Sequence, residues 1–282
     1  MLPQDLDNWL SAAAFYPLHD TVVDGGSICR NVVCENTTGD RLFVKYLDKA
    51  PTNFFQCEAE GLSYLQSASN VNTPKVHACG ANFLALSYIP PQHHSADYWE
   101  TLGRQLALIH SLTRDLHGFA NDNYCGNRVQ LNRQHKDGYE FFISNRLLPL
   151  AESALDRRLI DVGDLQAIES LCLRLDALVP EQPASLLHGD LWSGNVHVSE
   201  RGQPVFIDPA VYFSWAEIDL AMTRLFGGFD QRFYDAYEEV RPLERGWRQR
   251  IHLYNLYPVL NHLLMFGAVY LGQVRGILSR YS

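Results

Sequence analysis

Apolar residues alternate with polar ones in the first third of the chain and recur at helical spacing through the rest. Residues 5–15 set Leu6, Trp9 and Leu10 on one helical face. ICRNVVCEN and RLFVKYL then alternate on either side of ENTTGD, which predicts a hairpin. NFFQCEAEGLSYLQSA returns to helical spacing through Phe55, Leu62 and Leu65. KVHACG and NFLALSYIP supply two further strands of the same sheet. Past Pro90–Pro91 helices take over. ADYWETLGRQLALIHSLTRDLHGF predicts one long helix with Leu102, Leu106, Ile109, Leu112 and Leu116 as its buried stripe. Residues 117–138 read as a polar loop. YEFFISNRLLPLAESALDRRL and DLQAIESLCLRLDALV read as amphipathic helices, with Arg146 as a surface charge. Val196–Val198 and Val205–Ile207 flank a Gly202-centred turn and predict a second hairpin. YFSWAEIDLAMTRLFGGF begins a helix, and residues 231–282 are helical and aromatic-rich, with Tyr254, Tyr257 and Phe266 as core.

This division predicts an α+β fold of two lobes. A small antiparallel-sheet lobe spans residues 1–91, and a larger, mostly helical lobe spans 92–282. The 282 residues suffice for two cores. A net charge of −9 without any basic cluster argues against nucleic acid as a partner. MLPQDLDNWL is too acidic and too short of apolar residues for a signal peptide. The stretch Leu253–Leu271 is broken by Asn255, Pro258, Asn261 and His262, which excludes a membrane span there. The six cysteines form no C-x-x-C pair or zinc spacing and read as reduced thiols of a cytoplasmic protein.

The chemistry concentrates in residues 186–210, LLHGDLWSGNVHVSERGQPVFIDPA. His188, Asp190 and Asn195 have the spacing of a kinase catalytic loop, and an apolar strand delivers Asp208 thirteen residues later. In that pattern Asp190 takes the proton of the attacking hydroxyl, while Asn195 and Asp208 hold Mg²⁺ against the ATP phosphates. Upstream, the Gly25–Gly26 pair allows backbone N–H groups to approach phosphates without an intervening Cβ. Lys45, near the end of its strand, can reach the same phosphates, and the following helix offers Glu58 and Glu60 to hold it. The backbone of Ser87, Tyr88 and Ile89, at the expected hinge, can meet adenine. Cys29 falls within the expected glycine loop near Lys45, where a thiolate could be favoured and oxidation could act on ATP binding.

HGDLWSGN, IDPA and EIDLAMTRLFGGF resemble the fructosamine kinase (ketosamine kinase) family, within the aminoglycoside-phosphotransferase-like group of protein-kinase-like folds. The resemblance runs from the glycine pair to the aromatic tail. It implies ATP and Mg²⁺ as cofactors and Glu58, in an E-x-x-x-L-x-x-L frame, as the partner of Lys45. It also implies that Asp219 braces the catalytic loop and that His110, in L-A-x-I-H, is a core hydrogen-bonder. The acceptor it implies is the 3-hydroxyl of a ketoamine, free or on a glycated protein, in deglycation repair. The chain departs from the family in three places. Gln134 and Gly138 stand where tryptophans are usual, beyond the matching Gln130 and Asn132. Phe213 to Ala216 replace Tyr-Gly before Glu217. These departures are expected beside the acceptor pocket. They keep open an aminoglycoside- or choline-type hydroxyl kinase of the same fold, and a nucleotide-binding regulator without catalysis is the third reading. The sequence sets no oligomeric state.

Overall fold

The structure, a computed structural model, describes residues 2–18 and 28–281. The expected Gly25–Gly26 loop lies outside the described residues. Helix α1 (Gln4–Ala13) leads into strands β1 (Phe15–Pro17), β2 (Arg30–Asn36) and β3 (Arg41–Tyr46). The turn between β2 and β3 is closed by Asn36, whose side-chain oxygen accepts the Thr38 and Asp40 N–H groups. Helix α2 (Phe54–Ser69) and strands β4 (Val76–Cys79) and β5 (Phe83–Ser87) follow. The sheet is antiparallel throughout, in the order β1-β2-β3-β5-β4.

Strand parity decides what Lys45 meets. Leu42 and Val44 of β3 pack with Leu6 and Leu10 of α1 on one face of the sheet. Phe43 joins Phe54, Phe55 and Leu62 of α2 on the other. Lys45, two residues after Phe43, therefore faces α2. Burying each of these large apolar side chains contributes about 1.5–3 kcal/mol. Helix α2 also reaches beyond the small lobe. Its Leu65 enters a core cluster of the large lobe. A Cβ on its Gly61 would stand 3.3 Å from the Pro209 ring.

The large lobe begins with α3 (Tyr98–His110) and β6 (Thr113–Arg114). Here the helix is shorter than its stripe suggested. The Ser111 hydroxyl takes the Ala107 carbonyl at 2.7 Å, and the chain then turns into a strand pair with Ala184–Ser185. Leu112 and Leu116 consequently lie beyond the helix. The expected loop 117–138 carries a small hairpin, β7 (Asn123–Cys125) with β8 (Arg128–Gln130). Next come α4 (Gly138–Phe142), a π turn at Ile143–Leu147, α5 (Leu148–Asp156), α6 (Val162–Cys172) and α7 (Leu175–Leu178). Arg146, expected at the surface, is fully buried.

Strand β9 (Ala184–Leu187) delivers the chain to the loop 188–195. Strands β10 (Val196–Val198) and β11 (Pro204–Phe206) form the expected hairpin, with Val196 opposite Phe206. β12 (Tyr212–Ser214) returns to pair with β9. Four helices close the chain: α8 (Glu217–Leu225), α9 (Gln231–Val240), α10 (Trp247–Phe266) and α11 (Leu271–Leu278). A buried bidentate pair, Arg250 on Glu217 at 2.6 and 2.7 Å, ties α10 to α8. Among the described residues no helix is long and apolar enough to cross a membrane.

Candidate active site

The loop after β9 is held by hydrogen bonds from four directions. Asp219, in the first turn of α8, accepts the His188 N–H at 2.7 Å and the Gly189 N–H at 3.0 Å. His110 braces it in turn, its Nε2–H donating to Asp219 at 3.2 Å and its Nδ1 accepting the Tyr237 hydroxyl at 2.8 Å. His188 accepts the Asp190 N–H at Nδ1 (3.3 Å), so its proton sits on Nε2 and is donated to the Ile207 carbonyl at 3.0 Å. Burial lowers both histidines below their ordinary value, keeping them neutral in this role. Gly189 is required between them: its φ is +85°, and a Cβ would stand 2.0 Å from the Ala210 carbonyl oxygen.

Asn195 closes the loop on itself. Its amide Nδ2 donates to the Asp190 carbonyl at 2.8 Å and to the Asp190 carboxylate at 3.1 Å. Its backbone carbonyl accepts the Ile207 N–H at 3.1 Å, which joins the loop to the segment carrying Asp208. Burial, then the nearby charge of Asp208, pushes the Asp190 carboxyl up to about 7. A carboxylate so raised is a competent proton acceptor near neutral pH.

Asp208 follows β11 in the left-handed region, φ +54°, a cost of roughly 1–3 kcal/mol that aims its carboxylate into the cleft. Lys45 touches it there and also donates to Glu58 at 2.7 Å. Burial alone would lower the Lys45 ammonium; the two carboxylates outweigh it and hold it above its ordinary value. Glu58 gets there because it lies three residues after Phe55 and four before Leu62, on the buried face of α2.

The donor set fits a hard cation. With Nδ2 of Asn195 spent on Asp190, its Oδ1 is the atom left for a ligand, in the cleft that Asp208 also lines. Among the described residues no cluster of three or more His, Cys, Asp or Glu could hold a metal by itself. Two oxygen donors suit Mg²⁺, which completes its shell with water and phosphates.

Two expectations change in the small lobe. The Ser87 N–H donates to Lys75 O at 2.9 Å and the Tyr88 N–H to Arg41 O at 3.4 Å. Both are committed to the protein, which narrows the expected nucleobase donor to Ile89. Cys29 does line the cleft near Lys45, but burial pushes its thiol up to about 12. The Lys45 charge, shared with two carboxylates, does not offset that, so no thiolate is favoured there.

The cleft encloses about 720 Å³ and continues past Asp190 to a wall absent from the sequence reading. Trp192 packs edge-on to Phe226 at 5.8 Å, and Phe226 stands 5.3 Å from His262. His262 lies 5.5 Å from Phe266 and 5.2 Å from Tyr270. The His262 Nδ1–H donates to Pro258 O at 2.6 Å, leaving Nε2 as an acceptor. Phe266, expected in the core, is half-exposed on this wall. Tyr254 and Tyr257 are buried as expected. None of the three departures expected beside the acceptor lines this cleft. Gln134 borders a separate recess of about 200 Å³. A Cβ on Gly138 would meet His117 and the Trp215 indole within 3 Å. Phe213, Ser214, Trp215 and Ala216 are core residues. The space of an aromatic at 138 is thus filled by Trp215.

The family profile described as "Fructosamine kinase" matches residues 6–282. A Vibrio parahaemolyticus protein named for ketoamine kinase activity is 38% identical over 264 residues, covering 90% of this chain and 88% of its own. The chloroplastic protein-ribulosamine 3-kinase of Oryza sativa subsp. japonica is 32% identical over 268 residues, 91% of this chain and 77% of its own. A solved structure named for fructosamine-3-kinase, from Thermobifida fusca YX-ER1, superposes with a TM-score of 0.85 at 34% identity, covering 95% of this chain and 92% of the other. Similarity across nearly the full length, joined to a kinase-like two-lobed fold, makes this enzyme a phosphotransferase, and the chain belongs to the fructosamine kinase family.

Proposed function

We infer that the chain is an ATP- and Mg²⁺-dependent ketoamine kinase that phosphorylates the 3-hydroxyl of fructosamine or ribulosamine adducts. One observation carries the reading. Asp190, with its raised carboxyl, lines the same cleft as the Lys45–Asp208–Glu58 cluster on one side and the Trp192–His262 wall on the other. Such a group stands between a phosphate-binding charge cluster and an acceptor-binding wall. The names of the relatives supply the acceptor class.

Asp190 accepts the acceptor's hydroxyl proton while Asn195 fixes the rotation of its carboxylate. Asn195 Oδ1 and Asp208 are the residues to hold Mg²⁺, which when bound neutralises charge on the transferring phosphate. Lys45, kept charged and oriented by Glu58, leaves Asp208 for the nucleotide phosphates. The Gly25–Gly26 pair and the Ser87–Ile89 stretch complete nucleotide binding, with Ile89 as the remaining N–H donor. The ring faces of the wall suit the cationic amine of a ketoamine, and His262 Nε2 can accept its N–H. In the reaction the acceptor O–H and the bond from the γ-phosphorus to the bridging oxygen break and a new O–P bond forms, leaving ADP and a proton. A phosphate beside the ketone then leaves as inorganic phosphate on enolisation toward the amine carbon, and water hydrolyses the remaining imine to the free amine and a dicarbonyl.

ADP release with Mg·ATP against ribulose-lysine, fructose-lysine, an aminoglycoside and choline tests the proposal. Turnover confined to the two ketoamines is expected. Turnover of choline or the aminoglycoside in their place would move the chain to the other hydroxyl kinases, and nucleotide binding without any turnover would favour a regulator.

A further inference from the structure

Arg146 is a buried cation whose described partners are all neutral. The π turn Ile143–Leu147 carries it into the interior. Its guanidinium donates to the Leu131 carbonyl, to Asn145 O at 3.1 Å and to Asn132 Oδ1 at 2.8 Å. The ring faces of Tyr212, Phe141 and Tyr257 surround it at 4.0, 4.7 and 5.3 Å. Its Nε–H has no hydrogen-bond partner among the described residues. An apolar side chain of that volume would fill the same space but leave the three acceptor oxygens unpaired. What it could not do is impose a direction on hydrogen bonds.

Arginine only donates, and that sets the sense of every amide behind it. Asn132 accepts from Arg146 at Oδ1, so its Nδ2 turns to Asn123 Oδ1 at 2.9 Å. Asn123 Oδ1, so oriented, also receives Gln130 Nε2 at 2.8 Å, which donates to Ala210 O at 3.1 Å as well, and Gln130 Oε1 is left to accept the Tyr257 hydroxyl at 2.7 Å. Asn123, its oxygen taken twice, directs Nδ2 to Val211 O at 2.9 Å. The relay thus ends on two carbonyls, two and three residues after Asp208. Ala210 is also the residue that meets the catalytic loop: its N–H donates to His188 O at 2.8 Å, and its carbonyl abuts Gly189.

We propose that Arg146 is a positioning residue for phosphoryl transfer, orienting the Asn132–Asn123–Gln130 amides that clamp Ala210 and Val211 and so fix Asp208 against the catalytic loop. The proposal rests on the reading of Asp208 as a metal ligand and Asp190 as the base. Losing the relay should loosen Asp208 while leaving the nucleotide's contacts with Lys45 in place.

The test compares wild type, Arg146→Met, Arg146→Lys, Gln130→Met and the Arg146→Met/Gln130→Met double variant. Three readouts are taken: melting temperature, kcat and KM for ketoamine phosphorylation, and affinity for a fluorescent ATP analogue with and without Mg²⁺. Arg146→Met is expected to lower kcat at least tenfold, to keep metal-free nucleotide affinity, and to lose the gain in affinity that Mg²⁺ brings. Arg146→Lys should recover part of both losses. Gln130→Met, which breaks the relay at its far end, should repeat the pattern, and the double variant should fall no further than the worse single. Wild-type kcat and wild-type Mg²⁺ dependence in a folded Arg146→Met would overturn the proposal. So would losses that multiply in the double variant. Should Arg146→Met fail to fold, Gln130→Met decides alone by the same two criteria. Wild type without ketoamine turnover would count against the acceptor assignment, leaving Mg²⁺-dependent nucleotide binding to judge Arg146.

Discussion

The two sides of the cleft are held in different ways. On the large-lobe side, His188, Gly189, Asp190 and Asn195 are fixed by hydrogen bonds that mostly involve backbone groups, with Asp219 accepting two of them. On the small-lobe side, Lys45 is shared between Glu58 and Asp208 through charge-assisted hydrogen bonds to two carboxylates. A charge shared between two carboxylates can move to a phosphate with little loss; a backbone N–H bound to Asp219 cannot. In the proposed function this makes the large lobe the source of a preorganised proton acceptor, and the small lobe the source of charges that rearrange when the nucleotide arrives.

Substitutions can break this contrast. Asp190→Ala should lower kcat by about 10²-fold or more while nucleotide affinity stays near wild type, because no nucleotide contact is lost. Steady-state kinetics with a nucleotide titration checks both parts. Lys45→Met should cost on the order of 10²-fold in kcat/KM, with weakened nucleotide binding as its distinguishing mark. Glu58→Gln should produce the same pattern, milder, since Lys45 keeps Asp208. An Asp190→Ala variant that lost nucleotide binding while Lys45→Met kept it would reverse the division.

Stability sharpens the comparison further. Gly189→Ala forces a Cβ against the Ala210 carbonyl at positive φ, a destabilisation of about 1–3 kcal/mol, read as a shifted urea midpoint together with lost activity. Alanine at Gly39, also at positive φ but with open space around its Cβ, should cost less and spare activity. The buried histidines give the smallest effect. His110 and His188 titrate below their ordinary value in the fold, so the unfolded chain binds more protons as pH drops below about 6.5. Their contribution to stability is complete above that pH and declines as pH falls toward the folded values. Asp190 acts oppositely: its raised carboxyl favours the fold at low pH, and that contribution is lost as pH rises through about 7. Comparing wild type with His110→Gln isolates the histidine part, and the variant should show the shallower loss of stability between pH 7 and 5.5.

Much of this was legible in the chain because it depends on local spacing. Strand alternation set Lys45 on the side of α2, and the i, i+3, i+4 pattern set Glu58 there too. His188, Asp190, Asn195 and Asp208 sit within 21 residues, and a hairpin brings the ends together. The aromatic wall was not legible. Trp192, Phe226, His262 and Tyr270 come from three separate segments, and nothing in helical periodicity tells an aromatic facing a cleft from one facing a core. Arg146 misled for a related reason. A lone arginine in an amphipathic stretch reads as solvated by type, whereas two of its partners, Leu131 and Asn132, directly follow a small hairpin that polar composition disguised as a loop. Gln134, Gly138 and the 213–216 segment do not line the cleft, because a departure from a family pattern marks a changed environment, at Gly138 the packing against Trp215, without saying where that environment lies.

The most direct measurement is a crystal structure with Mg²⁺ and a non-hydrolysable ATP analogue. The account predicts that Lys45 keeps Glu58 and leaves Asp208 for phosphate, while the Asp219 bonds to His188 and Gly189 and the Asn195 bond to Asp190 stay as they are. A rearranged catalytic loop, or Lys45 still bound to Asp208 beside the nucleotide, would contradict it.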